Sequence, residues 1–175
     1  IIGLERSKRC AQIAHSRGIS CILADAKQVH LPFADHIFDT VLCVDVLHHL
    51  GPPWKDLLGE LARVLATDGN VVIIEPDARN PLVRLTQAPH SWLRVAPCEN
   101  EPAIHPNDLL TPLHDLGFTC SCQPFHLDGK QVVRDVFPLW QRILKAPFII
   151  CLTFLFGKRP NKFAIIATRK KRTET

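Results

Sequence analysis

The chain has 175 residues, 46% hydrophobic and 22% charged, which excludes a disordered segment and fits one globular domain with a core of useful size. Its formal charge is +4, but seven of the 21 basic residues lie in residues 158–172, where there is no acid. Residues 1–157 hold 14 basic and 16 acidic residues, so the body offers no basic face for nucleic acid.

The first residues, IIGLE, read as a short apolar strand over residues 1–4 ending at Glu5. Ser7 then stands where a helix N-cap belongs, SKRCAQIAHSR has apolar residues at helical spacing, and Gly18 closes the helix. Residues 19–24, ISCILA, predict a buried strand stopped by Asp25. LPFAD is a turn, and residues 39–44, DTVLCV, predict a strand apolar on both faces, as in a sheet covered on two sides. PPWKDLLGELARVLATDG has a Pro-Pro start, a stripe of Leu57, Leu58, Leu61, Val64 and Leu65, and an Asp-Gly stop, which predict an amphipathic helix. Residues 70–75, NVVIIE, predict another buried strand. This alternation points to an α/β layered domain with a mainly parallel sheet.

From Pro76 the pattern loosens into a Pro- and Asn-rich excursion over residues 77–102, expected to cover a cleft. A short helix in HPNDLLTPLHDLGF and a strand in FTCSCQPF occupy residues 103–127, and KFAIIATRK gives a last strand within 161–170. Between them, residues 128–160 include APFIICLTFLFG, which is too short to span a bilayer. The favoured reading is a buried helix or a lid on the substrate cleft. The other is peripheral contact of residues 136–160 with a membrane surface, with Trp140, Phe148, Phe154 and Phe156 inserted and basic residues on anionic headgroups.

Seven scattered cysteines without CxxC spacing read as reduced, mostly buried thiols of a cytoplasmic protein, and no metal is expected. Cys120, Cys122 and His126 lack the matching second pair that a zinc cluster needs.

In open parallel α/β sheets, ligands bind beyond the carboxyl ends of the strands. Three predicted strands end there on an acid: Glu5, Asp25 and Asp45. Such an acid can accept hydrogen bonds from a ribose diol or an exocyclic amine. Adjacent His48 and His49 follow the third of these strands. They are expected on one helical turn, pointing apart, and are weak candidates for a catalytic base.

The set IIGLERSKRCAQIAHSRG, LADAKQVHLPFADHIFDTVLCVDVLHHL and ELARVLATDGNVVIIEP resembles the class I S-adenosylmethionine-dependent methyltransferases, in the branch that methylates small molecules, lipids and quinones. The likeness is tight over residues 1–76 and loose from 103 to 168. It implies an α/β, Rossmann-like, seven-stranded sheet, mostly parallel with an antiparallel last strand. It also implies one domain whose cofactor-binding core is 1–76, and methyl transfer from S-adenosylmethionine to a small-molecule or lipid-like acceptor. Glu5 would take the ribose hydroxyls and Asp25 the adenine amine, with the Ala26 backbone N–H at a ring nitrogen. The backbone at Cys43 and Val44 would face the methionine part. Leu31, Pro32 and Phe33 would be scaffold, and Glu60 and Arg63 a helix surface pair.

One departure is large: the family's first strand and its Gly-rich loop are missing. The chain is therefore expected to be an N-terminally truncated domain, with unpaired inner edges at the strands over 1–4 and 39–44. Two rivals remain. One is a non-catalytic fragment or pseudo-enzyme that binds no cofactor. The other is a dinucleotide oxidoreductase, because an acid ending the second strand also suits a nicotinamide ribose.

Overall fold

The structure, a computed structural model, describes residues 1–28, 30–51, 53–88, 91, 103–125 and 159–169. Strand β1 (Ile2–Glu5) leads into helix α1 (Lys8–Ser16) and strand β2 (Ser20–Leu23). The Ser7 hydroxyl accepts the Cys10 N–H at 3.4 Å and so caps α1. Gly18, at φ 81°, turns the chain out of the helix in a conformation that side chains disfavour. β1 and β2 pair in parallel, with Ile2 opposite Ser20 and Glu5 opposite Leu23.

Beyond the 25–37 loop come β3 (Phe38–Val44), the single turn α2 (Leu47–Leu50), α3 (Trp54–Val64) and β4 (Leu65–Pro76). Then follow α4 (Pro81–Gln87), α5 (Pro106–Asp115), β5 (Phe118–Phe125) and β6 (Lys162–Arg169). The second sheet runs in the order β3-β4-β6-β5. β3 and β4 are parallel, and β6 is antiparallel to both of its neighbours. The mixed sheet with an antiparallel last strand is thus the one expected. The described strands form a pair and a four-stranded sheet, and β1 and β3 share no ladder, which is where the sequence left two inner edges without a partner.

Alternation along the strands divides the larger sheet into two unlike faces. Val41, Cys43, Val71, Ile73, Phe163, Ile165 and Ala167 share a core with Leu57, Leu58 and Leu61 of α3 and Leu109 and Leu113 of α5. On the opposite face Leu42 is 63% exposed, Val44 43% and Ile166 45%. The strand over 39–44 was expected to be covered on both sides. Among the described residues it is covered on one.

Two further differences are local. The helix expected to run to Asp68-Gly69 stops at Val64, and β4 begins at once, over 12 residues. Leu65 pairs with Phe38, the register then shifts, and Thr40 pairs with Asn70. Gly69 lies in this irregularity, where a Cβ would meet the Asp39 carbonyl oxygen at 2.9 Å and Leu65 Cγ at 2.6 Å. Its turn signal serves a kinked strand. The excursion after Pro76 also contains α4, started by Asn80 accepting the Leu82 N–H at 2.9 Å with Pro81 next. A parallel bridge from Asp77 to Ile104 closes the base of the excursion.

Residues 92–102 and 126–158 lie outside the described residues, and with them the expected cleft cover, the lid or membrane segment, His126, and Trp140, Phe148, Phe154 and Phe156. Among the described residues no helix is long and apolar enough to cross a membrane.

Candidate active site

The ends of β1 and β2 are tied together by the Ala24 N–H donating to the Glu5 carbonyl at 3.1 Å. Both acids here are half-buried, and each uses one oxygen to fold its own turn. Glu5 Oε1 accepts the Ser7 N–H at 2.7 Å, and Asp25 Oδ1 accepts the Lys27 N–H at 2.9 Å. The second oxygen of each makes no hydrogen bond among the described residues. Fixed carboxylates with one open oxygen apiece suit hydroxyl and amine donors of a ligand. Ala26, half-buried, packs against the core with Leu4 and Val46, so the Asp25 turn is anchored to the larger sheet's core.

At the ends of β3 and β4 the structure builds a denser group. Asp45 has φ 53°, an uncommon conformation for a residue with a side chain, and its N–H donates to the Ile74 carbonyl at 2.9 Å. Its Oδ2 pairs with the Lys162 ammonium, while Oδ1 is enclosed without a partner among the described residues. Glu75 is fully buried. One of its oxygens accepts the Val46 and Leu47 N–H groups, at 2.9 and 2.7 Å, which start α2. The other meets His48 Nδ1 at 2.5 Å. A buried carboxylate with three donors is well satisfied where an unpaired one would be costly.

His48 is buried and His49 exposed, yet their ring centroids lie 3.9 Å apart with 39° between the planes. They were expected to point apart. With Glu75 drawing the first ring inward, the second folds against it.

Cys43 and Val44 end the ladder of β3, opposite Ile73 and Ile74. The Cys43 thiol faces the covered side of the sheet. Burial, with the Glu75 charge adding to it, pushes the thiol up to about 12. The expectation of mostly buried cysteines fails among the described residues. Cys43 is buried, Cys21, Cys120 and Cys122 are half-buried and Cys10 is exposed, all as free thiols.

Asp45, His48 and Glu75 offer ligand-type atoms within 4.8 Å of one another. The Glu75 oxygens already hold three donors and Lys162 supplies a cation to Asp45 Oδ2, which leaves Asp45 Oδ1 as the enclosed oxygen of the group without a partner among the described residues. A buried polar turn follows β4, where Asp77 takes the Arg79 guanidinium at 2.9 and 2.7 Å and so raises the pKa of Arg79. Glu75, Asp77 and Lys162 were not singled out from the sequence. Glu75 ends an apolar strand just as Glu5 does, and that rule could have found it.

Residues 1–73 match the family model described as a methyltransferase domain. Over 72 residues the chain is 40% identical to an uncharacterized protein of Methanocaldococcus jannaschii, covering 41% of this chain and 34% of that protein. It is 31% identical over 74 residues to a probable tRNA methyltransferase 9B of Bos taurus, covering 41% of this chain and 16% of that one. The chain thus spans about a third or less of the length of these curated relatives. Among solved structures, a SAM-dependent methyltransferase from Archaeoglobus fulgidus superposes with a TM-score of 0.68 at 20% identity, over 96% of this chain and 75% of that one.

Proposed function

We propose that this chain, which has the class I methyltransferase fold and carries a methyltransferase domain over residues 1–73, belongs to a protein that transfers a methyl group from S-adenosylmethionine to a small, apolar or lipid-like acceptor. The observation that carries the reading is the pair Glu5 and Asp25. These are two half-buried carboxylates at the joined ends of parallel strands, each with one oxygen held and one open.

The residues present fit the adenosine half of the cofactor. Glu5 would accept from the ribose hydroxyls, Asp25 from the adenine amine, and the Ala26 N–H would donate to the ring. The Cys43 and Val44 backbone would lie toward the methionine part. No two glycines in the 175 residues stand in Gly-x-Gly spacing, so the described chain offers no Gly-rich cradle to that part. When bound, the cofactor supplies a sulfonium methyl that is already electrophilic. The protein's task is to orient an acceptor toward it and exclude water.

The test is calorimetric titration of S-adenosylhomocysteine, with NADH as comparator, into the full-length protein and its Asp25→Ala variant. Tight S-adenosylhomocysteine binding that weakens at least tenfold in the variant, without loss of fold, supports the reading. Preference for NADH overturns it in favour of an oxidoreductase, and binding of neither favours a non-catalytic role. Labelled methyl transfer to small-molecule extracts is compared with transfer to tRNA, the acceptor in the name of one relative. Transfer to tRNA alone would overturn the small-acceptor reading.

A further inference from the structure

We propose that His48 is the base that takes a proton from the methyl acceptor and that Glu75 is its positioning residue. The acceptor is then one whose nucleophile must lose a proton, a phenolic hydroxyl or a carbon acid, in contrast to a thioether or a tertiary amine. The proposal rests on the methyltransferase reading and deepens it.

The geometry fixes a tautomer. Glu75 is fully buried, and its Oε1 already accepts two backbone N–H groups. As a carboxylate it can only accept, so the 2.5 Å contact assigns the proton to His48 Nδ1. In the neutral ring the lone pair is then on Nε2, which accepts no hydrogen bond from the described residues. A base held by a third group through its other nitrogen is the arrangement general-base catalysis requires. The pair stands where β3 and β4 end, the edge at which ligands of such sheets sit.

The surroundings make this more than a packed histidine. Asp45 precedes the turn in a strained left-handed conformation, held by the Ile74 carbonyl and by Lys162. The charged and titratable groups facing the ring are Glu75 on the sheet, with Cys43 beside that carboxylate, His49 tilted against the ring, and Asp45 with its Lys162 partner. Lys162 supplies a local positive charge to the Asp45 carboxylate.

The step balances simply. The acceptor's O–H or C–H bond breaks and its proton goes to His48 Nε2. The freed pair bonds to the methyl carbon as the carbon–sulfur bond breaks, leaving its electrons on sulfur. The products are the methylated acceptor, S-adenosylhomocysteine and a proton released from the imidazole to water.

Glu75→Gln tests it in the full-length protein. The amide oxygen can still accept from Val46 and Leu47, but its NH2 must now donate to Nδ1, which moves the ring proton to Nε2 and removes the base. Nitrogen-15 NMR of the imidazole, read without cofactor, should show Nδ1–H in wild type and Nε2–H in the variant. S-adenosylhomocysteine affinity should stay within about threefold, while methyl transfer to a panel of phenols and 1,3-diketones should fall by about a hundredfold or more. Should Glu75→Gln fail to fold, His48→Gln with Glu75 intact should give the same loss of transfer.

A wild-type ring protonated on Nε2 overturns the proposal. So does a variant that folds, binds S-adenosylhomocysteine and transfers methyl at the wild-type rate, or a wild-type protein that binds S-adenosylhomocysteine but methylates only thioethers or tertiary amines. Wild-type protein that binds no S-adenosylhomocysteine overturns the methyltransferase reading itself and is distinguished by the titration alone.

Discussion

Glu60 and Arg63, one turn apart on α3, close on each other at 2.8 and 2.7 Å and together grip the backbone of the Leu31–Phe33 loop. Glu60 accepts the Leu31 N–H at 2.7 Å. Arg63 donates to the Leu31 and Phe33 carbonyls at 3.1 and 2.8 Å and to the Asp35 carboxylate at 2.6 Å. What reads in sequence as a helix surface pair is a clamp that joins the loop after Asp25 to the helix layer of the larger sheet.

The clamp predicts acid lability. Hydrogen bonding from Arg63 holds the Glu60 carboxyl at about 2, below its ordinary 4.5. Because the folded value is the lower one, this stability is present above the ordinary carboxylate value and drains away as pH falls from there toward about 2. Urea midpoints between pH 6 and pH 2.5 should fall more steeply for wild type than for Glu60→Gln. At pH 7 the variant should be less stable by about 1–2 kcal/mol, a figure already reduced for solvent screening of the pair. Equal slopes would show the clamp to be energetically idle.

The thiols should divide by reactivity. Cys43 is buried with its pKa raised, and Cys10 is exposed. Since the thiolate is the reactive form, maleimide at pH 7.5 should label Cys10 within minutes and leave Cys43 untouched until the protein unfolds. Peptide mass spectrometry reads this directly, and rapid labelling of Cys43 would mean that its side of the sheet opens.

The two central glycines should respond oppositely to alanine. Gly69→Ala drives a Cβ against Asp39 and Leu65 and should cost about 1–3 kcal/mol in chemical denaturation. Gly59, inside α3 with nothing within 4 Å of its Cβ position, should gain up to about 1 kcal/mol. A neutral Gly69→Ala would contradict the kink in β4.

The uncovered face of the larger sheet should behave as exposed apolar surface. Replacing Leu42 and Ile166 together with lysine should lower the binding of a hydrophobic dye and reduce self-association on a sizing column. The melting temperature should move by no more than about 2 °C. A large loss of stability would mean that these side chains are packed in solution.

β1, β2, β3 and the second half of β4 were legible because each is a short apolar run bounded by an acid or a turn, and α1 because Ser7 and Gly18 mark both ends. The end of α3 was not. Apolar spacing continues smoothly through Val64 and Leu65, and the pairing of Leu65 with Phe38 that ends the helix is a tertiary contact. α4 announces itself with Asn80-Pro81, but it is short and sits among prolines. Glu5 and Asp25 were legible as strand-ending acids. The role of Glu75 was not, because its donors lie 27 to 29 positions away and reach it only through the parallel pairing of β3 with β4.

β6 completes the larger sheet from within, lying between β4 and β5 although it is last in sequence. Until residues 162–169 have been synthesised, β4 and β5 each wait with an open edge, and Asp45 waits without the lysine that neutralises it. The β3–β4 pair can form early, but the sheet closes only when β6 pairs with β4 and β5. A nascent chain must hold two sticky edges apart, which makes folding slow and dependent on keeping chains away from one another.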